Sequence, residues 1–263
     1  MRCRANHGIA PLMGWRALPL LLLAALAGCA APARHAPEFA TKPFEPFNRQ
    51  DTVAIALREW RLFGSPLDDD DAHPPQKPER APGLWERVGE YWWIGLNPDA
   101  AEVAWTGKHD GNGHVFAASV DGDYAWSAAF ISYVMRIAGA GDRFPYSANH
   151  ATYVNAAVAG KTAILRAYPP DAYRPRVGDL VCSAREWARN LRFSDLPTSY
   201  FWPGHCDIVV AIERGRLSVV GGNVRDEVHM NHIPLDDDGH VGAGLLAILE
   251  VRYDAETEPA ADQ

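Results

Sequence analysis

Hydrophobic positions in the first half of the chain recur at helical spacing, whereas those in the second half fall in short runs. In residues 51–63, "DTVAIALREWRLF", Val53, Leu57 and Trp60 form a stripe that Gly64 ends. Residues 84–96, "LWERVGEYWWIGL", predict a second helix packing through Trp85, Val88, Trp92 and Leu96. Residues 123–135, "DYAWSAAFISYVM", predict a third. Its apolar face is Trp126, Phe130, Tyr133, Val134 and Ile137, its N-cap Asp123, and its stop Gly139 and Gly141. A short fourth helix is expected in "SANHATYVNAAVAG", residues 147–160, capped by Ser147 or Asn149. Five β-rich runs follow, "RVGDLVCSA", "HCDIVVAIE", "RLSVVGGNV", "EVHMNHIPL" and "LLAILEVRY", separated by turn residues. Helices first and antiparallel strands after is an α+β pattern.

The ends add a different kind of information. The stretch "MRCRANHGIAPLMGWRALPLLLLAALAGCA" carries Arg2, Arg4 and Arg16 ahead of an apolar run, Leu18 to Ala27. That run is shorter than the ~20 residues a spanning helix needs, so it reads as a secretory signal at residues 1–28. Met13 offers a second start with a complete signal. Leu26-Ala27-Gly28-Cys29 resembles a bacterial lipobox, which implies cleavage before Cys29 and a lipid on its thiol. Ala30 in place of Asp points to the outer membrane, facing the periplasm. Residues 29–46 are rich in Ala and Pro and read as a tether, and residues 256–263 as an acidic tail.

Cleavage would remove three arginines and no acid, taking the formal charge from -8 to -11. Such a balance excludes nucleic acid as a partner, since that partner is held through basic surface. The only expected membrane contact is the N-terminal lipid. The run Asp68–Asp71 lacks the spaced ligands and central glycine of a calcium loop and reads as a solvated loop. His229, His232 and His240, with Asp236 to Asp238, show no metal-ligand pattern, so neither metal nor cofactor is expected.

Three residues stand in an order that carries chemistry. Ser127 opens the third helix, His205 opens a strand, and Asn223 ends the next one. Nucleophile, base and a polar residue that orients the base is the logic of acyl transfer, and a helix start supplies N–H groups for an oxyanion. Trp126-Ser127-Ala128-Ala129-Phe130, Gly178-Asp179-Leu180-Val181, Gly204-His205 and Gly221-Gly222-Asn223 resemble, in order, the motifs of papain-like cell-wall amidases of the CHAP group. More narrowly, "HCDIVV", "GGNV" and a helix start with Ser are similar to the bacterial domain-of-unknown-function family numbered 2272. The resemblance covers roughly residues 85–253.

It implies a single papain-like domain over residues 47–255, with helices packed on an antiparallel sheet or small barrel. It also implies catalytic roles for Ser127, His205 and Asn223. The departure is Ser127, where the amidases carry a cysteine. A thiol ionises readily beside a cationic imidazole and a helix N-terminus. A hydroxyl needs a neutral imidazole in direct hydrogen-bond reach. The expected function is therefore a cell-envelope hydrolase of peptide or amide bonds. The alternative is an inactive module that holds a peptidoglycan peptide or an envelope protein in the same groove.

Trp126, His150, Tyr153 and Asp207 are candidates for lining that groove. Trp126 is either core or pocket wall, and His150 either groove or a satisfied surface histidine. Asp207, two residues beyond His205, either raises its basicity or bonds outward. Asp179 reads as a turn residue. The likeness makes the strands of Cys182 and Cys206 neighbours, leaving a disulfide or two buried thiols as the alternatives.

Overall fold

A computed structural model of the chain describes residues 46–67, 77–242 and 244–254. The signal, the lipobox Cys29, nearly all of the tether, the Asp68–Asp71 run and the acidic tail lie outside the described residues. No helix among the described residues is long and apolar enough to cross a membrane.

Four α-helices are present among the described residues, α1 (Arg49–Leu62), α2 (Leu84–Gly95), α3 (Ser127–Ile137) and α4 (His150–Val158). Six strands follow, β1 (Leu165–Tyr168), β2 (Leu180–Ala184), β3 (Gly204–Glu213), β4 (Arg216–Val224), β5 (Glu227–Pro234) and β6 (Ala247–Val251). They form one open antiparallel sheet in the order β1-β6-β2-β3-β4-β5. The α+β class holds, and the sheet is open rather than a barrel. Strand β1 has no counterpart among the predicted runs. It is four residues long and lies at the sheet edge, paired to the last strand, β6.

The helices cover one face of the sheet. Trp92, Trp126, Phe130, Ile131, Cys206 and Ile208 belong to the larger core cluster there. The other face has a smaller core of Val181, Val209, Leu217, Val219, Val241 and Ile248. Alternation along β3 explains the split, with Ile208 and Val209 on opposite sides. Cys182 lies opposite Cys206 in the β2–β3 register, and the two are joined by a disulfide.

A buried carboxylate ties α1 to α2. Glu59 accepts from Arg87 Nε at 2.6 Å and from Tyr91 Oη at 2.8 Å. Burial alone would raise its pKa, but the hydrogen bonds from Arg87 and Arg58 hold it below the ordinary carboxylate range. Asp179 is likewise more than a turn residue. It is fully buried and accepts from Arg176 N at 2.8 Å, Val251 N at 3.0 Å and Tyr173 Oη at 3.0 Å, fastening the β2 entry to β6.

Candidate functional site

The third helix begins later than its sequence predicts. Asp123 lies in a 3₁₀ segment, Ala118–Tyr124, and the flanking residue of α3 is Trp126, which makes no side-chain cap. The helical ladder opens with Phe130 N–H donating to Trp126 O, so the amides of Ser127, Ala128 and Ala129 precede it. Ser127 therefore sits on an uncapped helix N-terminus. Beside it opens a cavity of ≈ 370 Å³ whose walls include His150, Asn223, Arg185, Trp92 and Trp202.

The imidazole that reaches the serine is not the expected one. Ser127 Oγ lies 2.7 Å from His150 Nε2, and both residues are buried. His150 is the first residue of α4, and its Nδ1 pairs with the hydroxyl of Tyr153, one turn on. A neutral imidazole has one donor and one acceptor nitrogen. The arrangement in which Ser127 donates to Nε2 and Nδ1–H donates to Tyr153 satisfies both. Burial, then the neighbouring charges of His205 and Arg185, holds His150 well below its ordinary pKa, so it is neutral at pH 7.

His205 is engaged elsewhere. Its Nε2–H donates to Asp207 Oδ1 at 2.8 Å, and its Nδ1 is buried with no partner among the described residues. The expected Ser127–His205 hydrogen bond is not formed. The expected orienting bond from Asn223 to His205 is also absent, and the partner of His205 Nε2 is instead Asp207, on the same strand face. Glycine makes this possible. A Cβ at Gly221 would fall 1.8 Å from Asp207 Oδ1 and 2.9 Å from His205 Nε2. At Gly222 it would meet Phe130 Cβ at 2.6 Å, so this glycine lets α3 lie against β4.

Asn223 does reach the cavity. It has φ +57°, at an irregularity where β4 and β5 change register, and lines the wall with Ser127. Asn is among the few residues that tolerate this backbone region. Of the four expected groove residues, His150 lines the cavity, whereas Trp126 and Tyr153 are wholly buried behind it. Trp126 packs against Phe63 and Tyr91, and its Nε1–H donates to Glu79 Oε2 at 2.6 Å. Its large ring belongs to the core on which α3 rests. Asp207 serves His205 rather than the cavity.

No sequence signal marked Glu79, whose carboxyl burial pushes up to about 8. Nor did any mark Arg185, Trp92 and Trp202 as cavity walls. The indole N–H groups of Trp92 and Trp202 are buried and have no acceptor among the described residues. His229 Nδ1 pairs with Glu227 Oε1 at 2.9 Å, and no group of three or more His, Cys, Asp or Glu placed to hold a metal occurs among the described residues.

Residues 79–257 match the family described as "Uncharacterized protein conserved in bacteria (DUF2272)". No curated protein and no solved structure matches the chain.

Proposed function

The chain belongs to the DUF2272 family of uncharacterized bacterial proteins, and from that premise we propose that it is a cell-envelope hydrolase of peptide or amide bonds. Ser127 is the nucleophile and His150 its base. The observation that carries this reading is the 2.7 Å approach of Ser127 Oγ to His150 Nε2 at the cavity. A serine needs a neutral imidazole at that range, and His150 meets both conditions.

The chemistry follows from the geometry. As Oγ bonds to the substrate carbonyl carbon, its proton passes to Nε2. The carbonyl oxygen becomes an oxyanion, which the first amides of α3 are suited to stabilise. When the C–N bond breaks, Nε2–H returns the proton to the leaving nitrogen. Water, deprotonated by the same nitrogen, then attacks the acyl carbon, and as the C–Oγ bond breaks Nε2–H returns the proton to Ser127 Oγ. Tyr153 holds the ring, and Asn223 offers an amide to the substrate from the cavity wall.

Supporting the envelope assignment, the Cys182–Cys206 disulfide suits an oxidising compartment, as the signal and lipobox do. A peptidoglycan peptide fits the likeness of the helix start, the His strand and the Gly-Gly-Asn turn to CHAP amidases and their papain-like fold. Here the serine takes His150 as its base, where the likeness offers His205.

The second reading, a binding module with the same groove, has one specific observation in its favour. The burial that keeps His150 neutral also weakens it as a base, and a phenol rather than a carboxylate stands behind it. Labelling by a fluorophosphonate probe separates the two. The hydrolase reading expects wild type to be labelled and Ser127→Ala not. Absence of labelling, together with peptidoglycan cleavage by Ser127→Cys alone, would establish the binding module instead.

A further inference from the structure

Between β2 and β3, residues 185–203 form a loop whose base is clipped by the Cys182–Cys206 disulfide. Arg185 N bonds Pro203 O at 2.8 Å, closing the loop's neck. Asn155 of α4 fixes its far side, accepting from Thr198 N at 3.0 Å and donating to Thr198 Oγ1 at 3.2 Å. A segment held this firmly nonetheless turns three large rings outward. Trp187, Tyr200 and Phe201 are 61%, 55% and 58% exposed.

The rings are not scattered. The rings of Trp187 and Tyr200 lie 6.4 Å apart between centroids with their planes tilted by 32°, and both line a depression of ≈ 410 Å³. Asn190 and Asp195 give it polar edges. Trp202 forms a wall of both this depression and the Ser127 cavity, and its indole N–H lacks an acceptor among the described residues. Phe201 stands on the cavity side.

From these features we infer that the β2–β3 loop carries a saccharide subsite beside the Ser127 cavity. Trp187 and Tyr200 are the stacking faces, Asn190 and Asp195 bond ring substituents, and Trp202 divides the sugar from the scissile bond. Flat aromatic faces with polar edges match the mixed apolar and hydroxylated surface of a pyranose. Asp195 Oδ2 accepts from Arg192 N at 2.8 Å, which fixes the carboxylate and leaves Oδ1 for a ligand hydroxyl, a bond that a purely apolar partner would not supply. An anionic membrane surface is disfavoured because Glu186 and Asp195 offset most of the charge of Arg185, Arg189 and Arg192. The subsite deepens the proposed function. It rests on that reading only for the bond cleaved, and makes the substrate a sugar-bearing peptide.

The test separates binding from catalysis. The full chain carrying Ser127→Ala is titrated calorimetrically with a β-1,4-linked N-acetylglucosamine hexamer. Binding is expected, with at least a tenfold loss of affinity in Trp187→Ala and in Tyr200→Ala. Trp187→Phe should retain most of it. Both side chains are exposed, so unchanged circular dichroism is expected and is checked in each variant. No heat at millimolar sugar overturns the subsite, as does binding that both alanine variants leave intact. Ring-dependent binding to phosphatidylglycerol vesicles without sugar binding also overturns it, in favour of a membrane contact. None of these outcomes depends on whether Ser127 is labelled by a fluorophosphonate, so the two readings fail separately.

Discussion

His150 and His205 stand with their ring centres 5.4 Å apart, yet their surroundings differ in kind. His150 begins a helix and is bonded to a hydroxyl on each side, Ser127 and Tyr153. His205 begins a strand and is paired with a carboxylate two residues on. Burial between two hydroxyls favours the neutral ring of His150. The comparison teaches that the histidine with the more familiar acid partner is not the one that reaches the serine. In the proposed function, proximity to Oγ selects His150 as the base, and its surroundings keep it neutral.

The largest expected effect tests the proposed nucleophile, which is the same whichever histidine serves it. Ser127→Ala should reduce turnover of a peptide or amide substrate by on the order of 10³-fold or more, read as kcat, as loss of a covalent nucleophile does. A fall of less than tenfold would remove Ser127 from the chemistry. Next is the disulfide, which braces the strand of His205 and not the helix of His150. With its cysteines 24 positions apart, replacing both by alanine should cost about 3 kcal/mol in urea unfolding. Active protein that remains folded should keep its kcat within a few-fold.

A smaller effect bears on Tyr153. Tyr153→Phe deletes one hydrogen bond to His150, expected to lower kcat/KM about two- to tenfold, the equivalent of ~0.5–1.5 kcal/mol. The pH profile sharpens this point. Because burial lowers the pKa of His150, the acid limb of kcat/KM should lie below the ordinary histidine value of 6.5. A limb above that value would contradict His150 as the base. The subtlest effect is structural. Glu79 has a folded pKa raised to about 8 from 4.5, so the folded state binds its proton more tightly. Its contribution to stability is fully present below about pH 4.5 and is lost as pH rises through about 8. Glu79→Gln should flatten that decline in thermal unfolding measured across the same range.

The fold is legible where pattern and packing agree. The five longer strands carry β-rich runs because each is a central or hairpin strand with a buried face. Strand β1 is hidden by its length and edge position, which leave no room for an alternating pattern. At α3, Asp123 satisfies every local criterion for a cap, but a 3₁₀ segment uses it first. The positions of Ser127 and Asn223 at one cavity follow from motif order. The wiring does not, because hydrogen bonds across the site depend on a helix, α4, whose distance from Ser127 no local pattern encodes. Gly221 illustrates the limit. Its glycine is plain in the sequence, but its use, making room for the Asp207–His205 pair, appears only when β3 and β4 are laid side by side.

The central claim is that Ser127 takes its proton partner from α4. The most direct measurement is the rate of fluorophosphonate labelling of Ser127 in His150→Gln against His205→Gln, each checked for a native fold. The account predicts a loss of about 10²-fold or more in His150→Gln, the size expected of a general base, and less than a tenfold change in His205→Gln. Labelling that survives in His150→Gln and collapses in His205→Gln would contradict it.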